Sequence, residues 1–158
     1  MSDTPEKRLA ALGLTLPSIS KPAGNLLGYK IDQGQVFVSG QLPLEDGLPR
    51  YVGKVGKDFT KDEAYQAARL ATLNVIAQLT LATGGDLTAV GDIIKVSGFV
   101  NCTSEFIDIP FVINGASDLL VEIFHERGNH ARFAIGVASL PRGVPVEIDV
   151  IARINNGA

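Results

Sequence analysis

Arg132 and Glu147, near the C-terminal end of the chain, carry charged side chains whose types could do chemistry at a shared cleft. A guanidinium group presents a planar fork of N–H donors, which matches a carboxylate in two parallel hydrogen bonds. A glutamate can orient a water molecule and move a proton between that water and a leaving group. Both residues fall in strand-like segments, about Arg132–Ala138 and Val144–Arg153, so the placement of these strands decides whether the two side chains cooperate.

The clearest predicted element upstream of these strands is a helix from about Lys61 to Thr83. Thr60 and Glu63 form a capping box, in which each side chain satisfies a backbone N–H of the other residue. Apolar residues then recur at helical spacing, and Gly84 with Gly85 ends the helix. The many alanines of this helix permit close packing on a sheet.

A second helix is predicted from about Asp108 to Arg127, because Pro110 suits its start and Gly128 its end. Three further strands are predicted. They are Leu26–Asp32, Gln35–Gln41 and Ile93–Cys102, of which the first two form a hairpin through Gln33 and Gly34.

The first 22 residues are predicted to form an N-terminal extension, and residues 23–158 a single domain. A short amphipathic helix is expected over residues 5–16, and a loop over residues 42–58 with a brief strand at Tyr51–Val55. With this brief strand in brackets, the element order is β-β-(β)-α-β-α-β-β. That order predicts an α+β fold, a mixed β-sheet with two helices packed on one face.

The alternation of side chains along the strands divides the predicted sheet into two faces. One face is apolar and is expected to lie under the helices; after the second helix it includes Phe133 and Ile135. The opposite face mixes small, polar and a few apolar residues, among them Arg132, Ala134 and Glu147. We expect this face to be buried against identical subunits, with Arg132 and Glu147 lining a cleft there. The alternative is a solvated face.

The last two strands are joined by the short segment Leu140–Gly143, so we expect them to pair as an antiparallel hairpin. Arg132 lies eight residues before Leu140, and Glu147 lies four after Gly143. The two charged residues are therefore not opposite each other in such a hairpin, and only the cleft geometry brings them together.

The composition narrows the classes of partner and cofactor. The net charge of −3 argues against a broad nucleic-acid-binding surface, which needs clustered lysine and arginine. The single cysteine, Cys102, permits no intrachain disulfide and no thiolate-rich metal site. His125 and His130 lie at a helix end and in the following loop without a motif such as HExxH, so no metal is expected.

The N-terminal residues carry charges of both signs and lack the continuous apolar stretch of a secretory signal. No apolar run approaches the roughly 20 residues that span a bilayer. We therefore expect a soluble cytoplasmic protein without a membrane partner.

Several segments together resemble the RidA/YjgF family, whose members are also named endoribonuclease L-PSP or translation initiation inhibitor. The segment ARFAIGVASLPRGVPVEIDVIA, residues 131–152, is similar to the family's C-terminal signature. Ser39–Pro43 and Gly91–Val96 resemble two further family segments, and Asn114 resembles a family position ahead of a Leu-rich helical stretch. The resemblance covers about residues 24–154, and the order and spacing of the motifs make it specific.

The resemblance implies a chorismate-mutase-like fold that assembles as a homotrimer with three clefts between subunits. It also implies hydrolysis of reactive 2-imino or enamine acids to 2-keto acids and ammonia, with no metal or organic cofactor. Arg132 would hold the substrate carboxylate, and Glu147 would position the attacking water. The other substrate-binding residues of the cleft would be Ser39, Gly40, Asn114 and Ala134.

Two residues depart from the family pattern. Ala134 stands where the RidA branch usually has cysteine, although a backbone N–H there can still bind a carboxylate. Leu26 stands where an aromatic residue is common, with Tyr29 nearby. Two alternatives to a deaminase stay open: a non-catalytic trimer that binds 2-keto acids and, disfavoured by the acidic composition, an endoribonuclease or translation inhibitor.

Overall fold

The computed structural model describes residues 2–19, 22 and 24–155 of the 158-residue chain. The helices of this part are α1 (Pro5–Ala11), α2 (Lys61–Ala82) and α3 (Ile109–Phe124). Its strands are β1 (Tyr29–Asp32), β2 (Gln35–Gln41), β3 (Leu44–Glu45), β4 (Leu48–Pro49), β5 (Val90–Asn101), β6 (Ala131–Val137) and β7 (Val146–Ile154).

The main sheet has five strands in the order β1-β2-β7-β5-β6. β1 and β2 form the expected hairpin, in which Gln33 and Gly34 both have positive φ, as a tight two-residue turn requires. β5 and β6 are parallel and are connected through α3, whereas the other neighbours are antiparallel. The sheet is therefore mixed, and the α+β class is confirmed.

β6 and β7 are not paired with each other, so the expected hairpin between them is wrong. β5 lies between the two strands and pairs with both. The segment over residues 138–145 crosses the end of β5, where Asn101 donates its backbone N–H to the carbonyl of Pro145. Because the crossover through α3 places β6 directly beside one edge of β5, β7 completes the sheet on the other edge, between β5 and β2.

Helices α2 and α3 cover one face of the sheet and bury its apolar side chains. α2 begins at the expected capping box, since the N–H of Glu63 donates to Thr60 Oγ1 and the N–H of Thr60 donates to the Glu63 carboxylate. The two helices approach closely at Gly115, where a Cβ would lie 2.2 Å from the backbone oxygen of Tyr65. This approach lets both helices lie flat on the same sheet face.

The two faces of β6 are the reverse of those expected. Phe133 and Ile135 project from the face of the sheet that the helices do not cover, here called the open face. They are 36% and 45% exposed there. Arg132, Ala134 and Gly136 lie on the side of the helices; the Arg132 guanidinium bonds to α3. The expectation that Arg132 and Glu147 share one sheet face is therefore wrong.

Close packing against α3 explains this reversal. In the register of β5 and β6, Ala134 lies beside Gly98 and Gly136 lies beside Val100. A Cβ added at Gly98 would lie 2.6 Å from Ile113, and one at Gly136 would lie 3.0 Å from Ile109. At positions 134 and 136 α3 leaves room only for small residues, so the large side chains of Phe133 and Ile135 occupy the open face.

The loop over residues 42–58 contains a small hairpin of β3 and β4, and no strand forms at Tyr51–Val55. Its turn passes through Asp46 and Gly47, which both have positive φ, and Val55 makes only isolated bridges. α1 ends at Ala11, earlier than expected, and buries Leu9 in the core. In residues 2–19, 22 and 24–155, no helix has the length and apolar character needed to cross a membrane.

Candidate functional site

Arg132 lies at the edge of the sheet and reaches across to α3. Its Nη1 donates to Ser117 Oγ at 3.0 Å, and its Nη2 donates to the backbone oxygen of Pro110 at 3.3 Å. No carboxylate of the described residues forms a salt bridge with it. Three of the five guanidinium N–H donors therefore remain for a ligand.

Asn114 belongs to the same helical stripe as the two partners of Arg132. Pro110, Asn114 and Ser117 are spaced four and three residues apart on α3, so they lie on one face of the helix. Asn114 is partly buried, and its amide makes no hydrogen bond within the described part of the chain. The predicted ligand residues Arg132 and Asn114 are thus brought together at one edge of the molecule.

Ala134 lies in the middle of β6, which is an edge strand. An edge strand presents backbone N–H and C=O groups that no neighbouring strand uses. The methyl group of Ala134 packs against the core, so a contact of this residue with a ligand would involve its backbone.

Glu147 lies on the open face of β7, beside a β-bulge of β2. The register between β2 and β7 shifts at Ser39 and Gly40, which form the bulge. A Cβ at Gly40 would lie 2.2 Å from Glu147 Oε1, so only glycine lets the carboxylate lie this close to the bulge. The structure therefore places Gly40 and Glu147, two of the predicted site residues, next to each other.

Burial raises the pKa of Glu147, and the neighbouring carboxylate of Asp149 raises it further. Within the described chain the Glu147 carboxylate has no hydrogen-bond or salt-bridge partner. A carboxyl group in this setting exchanges protons closer to neutral pH than an exposed one and is a stronger base when ionised.

Ser39 holds the segment before β1 against β2. Its hydroxyl donates to the backbone oxygen of Leu27 at 2.5 Å, and its backbone N–H donates to the backbone oxygen of Gly28 at 2.9 Å. Ser39 also lines a groove of about 380 Å³ together with Leu26, Tyr29 and Phe37, among others. Its hydroxyl is occupied locally, while its position places it at the wall of an apolar groove.

The candidate residues form two groups that do not meet within one chain. Ser39, Gly40 and Glu147 lie on the open face, whereas Arg132 and its α3 neighbours lie on the helix side of the sheet edge. Glu147 is paired with Phe99 of β5, and Arg132 is paired with Val96. These positions are three residues apart along β5, about 10 Å, and on opposite sides of the sheet.

A second groove, of about 570 Å³, lies beside the C-terminal end of β6. It is lined by residues of β6, of the start of α3 and of the preceding loop, including Gly136, Ile109, Thr103 and Cys102. Lys54 reaches into this groove and donates to Asn101 Oδ1 at 2.6 Å and to the backbone oxygen of Ala138. Burial raises the pKa of the Cys102 thiol, so this cysteine is a weak nucleophile at neutral pH.

Ser117 is not among the residues that the sequence predicts for the site, and the sequence raises His130 only as a metal ligand. Ser117 is recognisable in the sequence by its i+3 spacing from Asn114, but the contact of Arg132 with α3 depends on the reversed face of β6. Over residues 2–19, 22 and 24–155, no three His, Cys, Asp or Glu side chains are grouped as a metal site requires.

Comparison with curated proteins identifies relatives over most of the chain. Residues 6–148 match the family described as "YjgF/chorismate mutase-like, putative endoribonuclease". Protein TCP17 of Trypanosoma cruzi is 42% identical over 149 residues, which cover 94% of this chain and 92% of that protein. TdcF of Escherichia coli K12, named as a candidate reactive intermediate deaminase, is 34% identical over 123 residues, or 77% of this chain and 81% of TdcF.

Solved structures show the same architecture. A protein of unknown function from Agrobacterium tumefaciens is 43% identical, with a TM-score of 0.90 over 96% of this chain and 92% of that one. A candidate endoribonuclease from Shewanella oneidensis is 40% identical, with a TM-score of 0.93 over 96% of this chain and all of the other. E. coli TdcF with bound serine is 25% identical, with a TM-score of 0.59 over 85% of this chain and 92% of TdcF. Sequence and fold agree, and the chain belongs to the RidA/YjgF family.

Proposed function

We propose that this protein is a RidA-like deaminase that hydrolyses reactive 2-imino acids to 2-keto acids and ammonia. Its sites are clefts between the subunits of a homotrimer. Arg132 and Asn114 of one copy face Ser39, Gly40 and Glu147 of a neighbouring copy across each cleft. The single observation that carries the proposal is the division of these residues between two separate surfaces of the chain.

The open face of the sheet supports the assembly. Phe37, Phe133 and Ile135 project from it, and each is more than a third exposed in the single chain. Phe99 packs its ring edge-on against Phe133, which extends the apolar area into the middle of the sheet. Contact with identical subunits buries such an area and closes the clefts.

The ligand that suits Arg132 is a small carboxylate. Three N–H donors of its guanidinium remain, and the Asn114 amide lies on the adjoining helical stripe. Serine, which is bound to the relative TdcF, also carries a carboxylate beside a nitrogen-bearing carbon. A 2-imino acid combines the same carboxylate with an electrophilic carbon at the neighbouring position.

Glu147 supplies the proton transfers of the proposed reaction. As the water oxygen bonds to the imine carbon, Glu147 accepts a proton from the water, and the C=N electron pair moves to nitrogen. Glu147 passes that proton to the nitrogen, which gives the carbinolamine. It then takes the proton of the carbinolamine hydroxyl and delivers it to the nitrogen while the C=O bond forms and the C–N bond breaks, so that the leaving group departs as neutral ammonia. A raised pKa suits a group that both accepts and donates a proton. Arg132 holds the carboxylate in place, and such positioning alone increases the rate.

The test is an assay of the pure protein with 2-iminobutyrate generated in situ, following formation of 2-ketobutyrate against the rate in buffer. The deaminase proposal expects turnover above the buffer rate. Saturable binding of 2-ketobutyrate without turnover would instead establish the non-catalytic binding trimer. If the protein shows neither binding nor turnover, the proposed function fails. RNA cleavage stays the less favoured alternative for a chain of net charge −3.

A further inference from the structure

Ser117 links Arg132 to a histidine that the proposed reaction does not use. Ser117 Oγ lies 2.8 Å from His130 Nε2 and accepts the hydrogen bond from Arg132 Nη1 at 3.0 Å. On the far side of the imidazole ring, His130 Nδ1 lies 2.6 Å from the backbone oxygen of Gly128. The four groups form one continuous chain of hydrogen bonds at the edge of the sheet.

The chemistry of the partners sets the direction of each hydrogen bond. The Gly128 carbonyl can only accept, so Nδ1 of His130 carries the hydrogen. Nε2 of the neutral ring is then an acceptor, and the Ser117 hydroxyl donates to it. The Ser117 oxygen keeps its lone pairs for Arg132, which can only donate. Each donor in this series of hydrogen bonds has an acceptor only while His130 is neutral.

The surroundings of His130 keep its imidazole neutral. Burial lowers the pKa of His130, and the positive charge of Arg132 lowers it as well, while the hydrogen bond to Gly128 raises it. In the described chain, β6 contributes the charged group that faces the ring, Arg132. α3 contributes the uncharged Ser117, and the turn after α3 contributes the Gly128 carbonyl.

We propose that His130 is a positioning residue for Arg132, acting through Ser117, and that its protonation releases the guanidinium. In the neutral state Ser117 and Pro110 fix the guanidinium plane, so its remaining N–H groups face the ligand carboxylate. When His130 gains a proton, Nε2–H also donates to Ser117, and two cations then share one hydroxyl oxygen. Their repulsion displaces Arg132. This inference rests on the proposed function only in that the ligand of Arg132 is a 2-keto or 2-imino acid.

The first test measures the dissociation constant of 2-ketobutyrate by calorimetric titration across the pH range of the histidine transition. Wild-type affinity is expected to fall as the pH is lowered. His130→Ala should bind about fivefold more weakly at high pH, as the loss of one positioning hydrogen bond implies, and should lose this pH step. Ser117→Ala should behave like His130→Ala, whereas Ser117→Thr, which keeps the hydroxyl, should restore binding. The matched control is His125→Ala, which removes the chain's other histidine, an exposed residue beside Asp3.

The second test needs no ligand. Two-dimensional NMR of the two histidine rings, assigned with His125→Ala, should show the Nδ1–H tautomer for His130. The His130 pKa should rise in Arg132→Gln, because the neighbouring positive charge is gone. If wild type binds no 2-ketobutyrate at any pH, the proposed function fails, and this titration still decides the coupling. An unchanged His130 titration in Arg132→Gln, or an unchanged binding profile in His130→Ala, would overturn the inference.

Discussion

Arg132 forms hydrogen bonds to α3 and is the residue proposed to bind the ligand carboxylate. We predict that Arg132→Ala weakens 2-ketobutyrate binding about 10- to 100-fold, because a charge-assisted bidentate contact contributes about 1.5–3 kcal/mol. Isothermal titration calorimetry checks this. The control is Arg50→Ala, which removes an exposed arginine that is paired with Glu45. Equal affinities of wild type and Arg132→Ala would show that Arg132 serves only the bond to α3.

The effect of substituting Glu147 distinguishes a deaminase from a protein that only binds its ligand. We predict that Glu147→Gln keeps ligand affinity but lowers kcat about 100-fold, since an amide cannot accept the proton of water. The matched control is Glu45→Gln, an exposed glutamate in β3. If the wild-type enzyme is active and Glu147→Gln turns over at the same rate, another group moves the proton.

The pH profile follows from the direction of the Glu147 shift. Burial and Asp149 raise its pKa, so the carboxyl stays protonated to a higher pH than an exposed glutamate. The rate should therefore rise with pH through this raised pKa, and Glu147→Gln should lose that rise.

For stability the sign is opposite, because the folded state binds the proton more tightly. The free energy of unfolding falls as the pH increases through the folded-state pKa of Glu147.

At the scale of elements, the approach of α2 to α3 is the most sensitive contact. We predict that Gly115→Ala lowers the free energy of unfolding by about 1–3 kcal/mol, although alanine favours a helix, because its Cβ meets the Tyr65 backbone oxygen at 2.2 Å. Thermal unfolding measures this. Val121→Ala, an exposed change in the same helix, should stay within about 0.5 kcal/mol of wild type. A melting temperature unchanged by Gly115→Ala would mean that the helices separate without cost.

At the scale of the whole molecule, we predict a homotrimer held together by the open face of the sheet. Light scattering should give about three times the chain mass for wild type and a lower mass for Ile135→Asp, because a buried charge disrupts an apolar interface. Leu48→Asp, at an exposed apolar residue of β4, should keep the wild-type mass. A stable wild-type monomer would remove the clefts, and with them the division of the site between two copies.

The residues of the candidate site could be chosen from the sequence, but their geometry could not be predicted from it. Gly40 lies against Glu147, and Asn114 lies on the face of α3 that bonds to Arg132. The role of Ser117 and His130 could not be predicted, because their contact with Arg132 exists only when the inner side of β6 faces α3.

The sequence by itself determined the features that depend on neighbours along the chain. Thr60 and Glu63 start α2, and the Gln33-Gly34 turn closes the first hairpin, because these bonds form within a few residues. The tertiary structure decided which strand lies beside β5 and which side of β6 faces the helices. The alternation of side chains along β6 implies only that Arg132 and Phe133 lie on opposite sides of the sheet. The orientation is chosen by the space beneath α3, which admits Ala134 and Gly136 and excludes Phe133 and Ile135.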